Sequence, residues 1–329
     1  MKPTDRISWV DTVRGLCMIA ILLFHTEKYY AGEEIIPYAL YVDNAVMTFF
    51  FISGYLFYHP EKPFSVRHKL LSLFKSMFVP YLLFTSVIAF PKAFVHDDTT
   101  LTETLTAILT GHASWFIAAL IVAELIFCGL LWLCHRRLWL LGFLCAIPYP
   151  LIAIAYRIYG ETTMESMNYW CWQNALLMLL FLFSGYLCHR LRLFRFLHQR
   201  PVTVITALLI IVVKYMIFQK NVLLTIQPVH VNNYLCLFID GILGIIGITA
   251  LCRFLPRLRL IEWTGKHSII YYFICGGVPF TVTRLLCMAG LPYEGFYPTV
   301  FLAFVLVYFF STVVTYLILK VGSYIPTNK

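Results

Sequence analysis

The chain has 329 residues, 60% of them hydrophobic and only 12% charged, with a mean hydropathy of +0.80. That composition excludes a soluble globular domain and leaves an all-α protein that crosses the lipid bilayer many times. The formal charge of +9 would suggest nucleic acid in a soluble protein, but here the loops between spans account for it, so no nucleic-acid partner is implied.

In chain order the apolar runs predict about ten helical spans of roughly 20 residues each. They lie near Trp9 to Tyr29, Val42 to Tyr58, Leu70 to Phe90, Trp115 to Cys134 and Leu138 to Tyr156. The rest lie near Tyr169 to Cys188, Pro201 to Phe218, Tyr234 to Leu251, Ser268 to Met288 and Tyr297 to Val321. Pro80 falls inside the third run, where a missing N–H and a ring clash predict a kink. The loop between the third and fourth runs is the longest acidic one, and it predicts a short amphipathic helix over Leu101 to Leu109. In Phe49-Phe-Phe-Ile-Ser53-Gly54-Tyr55, aromatic rings flank a small pair, which predicts close helix packing.

Loop charge alternates along the chain. One set carries Lys2, Arg6, Lys62, Arg67, Lys69, Arg136, Arg137, Arg190, Arg192, Arg195, Arg200, Arg253, Arg257, Arg259, Lys266, Lys320 and Lys329. The other carries Glu33, Glu34, Asp97, Asp98, Glu103, Glu161, Glu165 and Glu294. Lys and Arg accumulate on the cytoplasmic side, so both termini are expected there. The first run holds Asp11, Arg14 and His25 and is not followed by a small-residue cleavage site, so a cleaved signal peptide is not expected. The ten cysteines fall mostly inside apolar runs without a CxxC pair, so they read as small hydrophobes, and no metal site is expected. With no linker or low-complexity segment, residues 1–329 read as one membrane domain.

Ionisable groups inside spans are costly and mark cavities, pairs or functional sites. In Asp11-Thr-Val-Arg14 and the run to His25, eleven steps along the chain lead from Arg14 to His25. At about 100° per residue both side chains share one helix face, roughly 16 Å apart along the axis, and Asp11 lies on that face within pairing reach of Arg14. The bland alternative is a structural salt bridge with a hydrogen-bonded histidine. Glu124 and Asp240 sit deep in their runs and read as cavity-lining, whereas Lys214 can snorkel and Asp43 can cap its helix.

A histidine beside a carboxylate and a guanidinium suits general-base activation of a hydroxyl, with the arginine gripping a phosphate or pyrophosphate. The same three groups also suit a proton-coupled transporter of a small polar solute, and spacing alone does not separate the two. An ATP-driven pump is disfavoured, since the chain lacks a P-loop.

The pattern Asp11-xx-Arg14-Gly15 with His25 resembles the first helix of membrane acyltransferase family three, which includes sugar O-acetyltransferases of the fucose 4-O-acetylase type. The likeness continues through Phe49 to Phe57, through the basic stretch ending Lys75-Ser-Met-Phe-Val-Pro80-Tyr81, through Trp115-Phe116 and through Gly265-Lys-His-Ser268-Ile-Ile-Tyr-Tyr272. The resemblance implies a multi-pass enzyme of the bacterial plasma membrane without a tightly bound cofactor. In such an enzyme acyl-CoA, usually acetyl-CoA, donates an acyl group on the cytoplasmic side. A glycan or lipid-linked sugar accepts it, which amounts to O-acetylation of a cell-envelope polysaccharide.

Carried onto this chain, the resemblance implies that His25 is the catalytic base or acyl relay and that Arg14 contacts the donor's phosphates; Asp11, on the same face, and Glu124, deep in its span, join His25 as catalytic candidates. Arg14, Lys75 and Arg67 become donor contacts, and Ser53, Trp115, Asp240 and Tyr272 line the acceptor cavity. Two positions depart from the family pattern: Cys275 stands where many members have His, and Lys75 where Arg is common. Self-association into a homo-oligomer is compatible with the sequence.

Overall fold

The computed structural model describes residues 7–60, 64–95, 100–135, 137–197, 199–254 and 256–324, and it is 81% helical. Backbone groups in lipid find hydrogen bonds only within the chain itself, and a helix satisfies them inside one segment. We number the principal helices α1 (Ser8–Tyr30), α2 (Val42–Phe57), α3 (Val66–Val87), α4 (Trp115–Leu133), α5 (Leu138–Tyr159) and α6 (Trp172–Arg190). They continue as α7 (Arg200–Gln219), α8 (Tyr234–Phe254), α9 (Arg259–Lys266), α10 (Ser268–Ile274), α11 (Gly277–Met288) and α12 (Tyr297–Tyr324).

Eight helices among the described residues are long and apolar enough to cross a membrane. The expected ninth run is a pair, α10 and α11, bent by 49° across Cys275 and Gly276, and the expected second run, α2, has 16 residues. A short helix, Leu101–Leu109, forms in the acidic loop. Its N-terminus is a capping box in which the Thr100 hydroxyl accepts from the Glu103 N–H and the Glu103 carboxylate from the Thr100 N–H. The expected Asp97–Asp98 pair and Lys2, Arg6, Lys62, Arg136 and Lys329 lie outside the described residues.

Pro80 does not break α3. The turn just before it, Phe74–Phe78, is π-helical, and the helix runs on through Val79. One extra residue in that turn moves the preceding carbonyl away from the proline ring and so accommodates the missing donor.

The described chain forms two compact units: residues up to Ala45 together with those from Ile248 onward, and residues from Val46 to Gly247. The first unit is built around α1, which packs against α9, α10, α11 and α12. Two glycines let α9 lie directly on the first half of α1. A methyl on Gly15 would stand 2.1 Å from the Ile261 carbonyl oxygen, and one on Gly265 would stand 1.7 Å from the Asp11 carbonyl oxygen. At the other end of α1 the Tyr30 hydroxyl donates to the Leu291 carbonyl at 2.9 Å.

In the second unit the core lies between α4 and α6, with α5 packed on α6. Where α2 crosses α6 the contact is again glycine on backbone. A methyl on Gly54 would stand 1.7 Å from the Leu182 carbonyl oxygen, and one on Gly185 would stand 1.9 Å from that of Phe51. This is the close packing expected of the Ser-Gly pair. Helix α6 ends in a left-handed turn. The Leu193 N–H reaches the Cys188 carbonyl at 2.9 Å, the Arg192 N–H reaches that of His189 at 3.2 Å, and Arg192 has φ 53°. Glycine usually fills that position, and a side chain there costs about 1 kcal/mol.

Candidate functional site

Helix α1 is unbroken over its 23 residues, so the spacing expected from sequence is realised on a rigid rod. Arg14 and His25 therefore stand on one face, about 16 Å apart along the axis. Asp11 is buried one turn before Arg14, while Arg14 and His25 are both half-buried. The His25 ring stands between aromatic neighbours. Phe24 is edge-on at 5.5 Å, and Tyr29, one turn further, is near-parallel at 6.1 Å between centroids. Tyr29 in turn meets Phe280 of α11 at 5.7 Å, and its hydroxyl lies near Gly276. The bend between α10 and α11 thus borders the C-terminal turn of α1 and carries Cys275, which is buried. Tyr272 is half-buried on α10.

Below Arg14, a depression of about 260 Å³ opens between α1 and α9, lined by Ser8, Asp11, Arg257, Arg259, Trp263 and Lys266 together with Glu262. Arg257 Nε donates to both Glu262 carboxylate oxygens, at 2.8 and 3.1 Å, and the Ser8 hydroxyl donates to the same group. Those hydrogen bonds hold the Glu262 carboxyl below its ordinary range, Arg257 contributing most, and raise that of the guanidinium.

Glu27, not singled out by the sequence reading, is fully buried near the end of α1. Its Oε1 accepts from the Tyr297 hydroxyl at 2.8 Å and its Oε2 from the Ile36 N–H at 3.2 Å. The only signal for it in the sequence is an acid standing just inside the end of an apolar run.

The second unit brings together two of the predicted residues. The Ser53 hydroxyl donates to Glu124 Oε1 at 2.5 Å. Lys69, missed as a site residue because it reads as a loop cation, places Nζ 2.8 Å from Glu124 Oε2 and 3.7 Å from the centre of the Phe57 ring. Asp240 joins a different pair, 2.7 Å from Lys214 Nζ, so Lys214 points to a buried carboxylate instead of snorkelling outward. Trp115 is half-buried at the start of α4 with its ring edge-on to Phe116, whereas Arg67 and Lys75 are exposed on α3, Lys75 inside the π turn. Among the described residues, no group of three or more His, Cys, Asp or Glu side chains could hold a metal ion.

An unbroken apolar helix carrying Asp11, Arg14 and His25, in a chain of many spans, meets a family model described as an acyltransferase domain over residues 7–320. The chain belongs to the acyltransferase 3 family. No curated protein and no solved structure matches it. This member of the family is therefore a multi-pass membrane acyltransferase. The match takes in α1 with its Arg14 and His25 face as well as the Ser53–Glu124–Lys69 cluster. In this acyltransferase the polar groups of the spans are thus organised in two ways. Glu124 and Asp240 are tied to lysines, whereas His25 lies among rings towards the C-terminal end of α1.

Proposed function

We propose that the protein is an O-acyltransferase of the bacterial plasma membrane that moves an acyl group, acetyl foremost, from acyl-CoA to a hydroxyl of a cell-envelope glycan or lipid-linked sugar. The observation that carries this reading is the Arg14 and His25 face of α1. A guanidinium fork suits the donor's pyrophosphate, and the imidazole stands about 16 Å further along, where a thioester separated from that pyrophosphate by its pantetheine arm can reach it. His25 takes the proton from the acceptor hydroxyl as its oxygen attacks the thioester carbonyl. The tetrahedral intermediate then expels the coenzyme A thiolate, the new C–O ester bond replaces the C–S bond, and the proton leaves with the thiol. Asp11 orients Arg14 from one turn away. Positive-inside bias supports cytoplasmic termini and entry of the donor at the Arg14 end, with the acceptor at the outer side.

The test follows labelled acetyl from acetyl-CoA onto surface glycan in cells. His25→Ala and His25→Gln should each lower transfer by about 10²–10⁴-fold at normal expression, because glutamine keeps hydrogen bonding and loses basicity. Arg14→Lys should act mainly on donor binding. Near-normal transfer by a well-expressed His25→Gln protein removes His25 from the chemistry. Absence of transfer in the wild type, with solute uptake lost in the variants, turns the reading towards a transporter.

A further inference from the structure

The depression between α1 and α9 lies in the same compact unit as Arg14 and His25, at the Ser8 end of α1. At 1.5 Å per residue, Asp11 stands roughly 4.5 Å along the axis from Arg14, on the side away from His25, and Ser8 roughly 9 Å. Along this one rod the order is therefore His25, Arg14, depression. The cations of the depression come from its other wall: Arg257 just before α9, Arg259 at the first position of α9 and Lys266 at the last.

Its two acids are engaged. Glu262 accepts from Arg257 Nε through both carboxylate oxygens and from the Ser8 hydroxyl. Asp11 is buried, one turn from Arg14 and within pairing reach of it. Arg259 and Lys266 are exposed, and among the described residues neither is joined to a carboxylate in an ion pair. They are the cations in surplus. Trp263 is half-buried and supplies an aromatic wall, with its ring 4.6 Å from that of His267 and edge-on to Tyr271 at 6.0 Å. Basic loops also set orientation, but that role needs only charge. It calls for neither an indole wall nor a carboxylate held across two helices.

We propose that this depression binds the 3′-phosphoadenosine end of the acyl-CoA donor. The choice of coenzyme A rests on the acyl-CoA reading above. In coenzyme A the pyrophosphate stands between the pantetheine arm, which ends in the thioester, and a ribose that carries adenine and the 3′-phosphate. A donor gripped at Arg14 with its thioester towards His25 runs its ribose the other way, towards Asp11 and Ser8. There the Arg259 fork matches phosphate oxygens in paired hydrogen bonds, Lys266 adds a second charge, and the Trp263 indole offers the adenine a face. The phosphate of an anionic lipid headgroup would meet the same cations, and the test separates the two sources.

The full chain is placed in phosphatidylcholine nanodiscs, and binding of coenzyme A and of 3′-dephospho-coenzyme A is measured by calorimetry. The wild type should prefer coenzyme A by about tenfold or more. Arg259→Gln and Lys266→Gln should each weaken coenzyme A binding, leave binding of the dephospho form nearly unchanged and so erode that preference. Arg195→Gln, an exposed arginine of the other unit, is the control for net charge and should keep it. Equal wild-type affinity for the two ligands overturns the proposal without recourse to any variant. So does unchanged coenzyme A affinity in both α9 variants, or an equal loss in Arg195→Gln. A loss confined to phosphatidylglycerol capture in mixed-lipid discs assigns the cations to lipid and overturns it as well. If coenzyme A binds with the expected preference but no acetyl reaches glycan in cells, the depression stands and the acyl-transfer reading falls. If transfer proceeds and neither α9 variant raises the KM for acyl-CoA, the reading stands and the proposal for the depression falls.

Discussion

Glu124 shows how a charge survives inside an apolar chain. Both of its carboxylate oxygens are engaged, one by Ser53 and one by Lys69, and the lysine ammonium lies over the Phe57 ring. Removing one partner of such a pair leaves a buried charge uncompensated, whereas replacing both removes the cost. Lys69→Met should therefore destabilise the protein by about 2–4 kcal/mol, at the lower end of the range for buried pairs because the lysine is partly exposed. Lys69→Met with Glu124→Gln should recover most of that loss. Thermal unfolding in detergent, followed by tryptophan fluorescence, checks the order; a double variant no better than the single one would mean that the pair is not a coupled unit. Sequence spacing marks Glu124 as deep in a span but leaves its partner unnamed. Lys69 lies 55 positions earlier, in a stretch that reads as a loop, and no helical period links the two. Arg14 and His25 are legible for the opposite reason. They share one helix, and the helical repeat alone sets their face.

At the scale of elements, the closest contacts are glycine against backbone. Gly265 on Asp11 and Gly15 on Ile261 hold α9 to α1, and Gly54 on Leu182 with Gly185 on Phe51 hold α2 to α6. None of these contacts has room for a methyl group, so the helices would have to separate. Gly265→Ala should shift α9 away from α1 and cost about 1–3 kcal/mol, as overpacking does. A Gly129→Ala control has no atom within 4 Å of the added carbon and should be silent. Unfolding midpoints of the two variants decide this, and equal midpoints would contradict the crossing geometry. The Ser-Gly pair of α2 was readable as a packing site because small residues let helix backbones approach. The π turn of α3 was not. Pro80 announces a disturbance, but whether a helix kinks or takes in one extra residue depends on what packs around it.

For the whole molecule, the alternation of basic and acidic loops carries the orientation. Glu34→Cys should react with a membrane-impermeant maleimide in intact cells, since Glu33 and Glu34 belong to the acidic set and Glu34 is exposed. Ten native cysteines set the background, most of them buried, so the native chain serves as the control. Labelling that appears only after lysis would reverse the orientation and place the Arg14 end of α1 outside. Class, helix content and the approximate span positions were all legible, because hydropathy and loop charge act locally along the chain. The pairing of distant helices and the bend between α10 and α11 depend on tertiary contacts and were not.

The unit built around α1 is made of two stretches far apart in the chain. Roughly 230 residues separate the end of α1 from the start of α9. At about 5–20 residues per second of synthesis, α1 stands in the bilayer for about 10–50 s before its packing partners exist. During that interval Asp11 and Glu27 lack α9 and the Tyr297 hydroxyl, and every group that later makes α1 useful counts against its staying in lipid. Maturation of the enzyme is thus a problem of timing, in which the helix with the richest chemistry is the one left waiting.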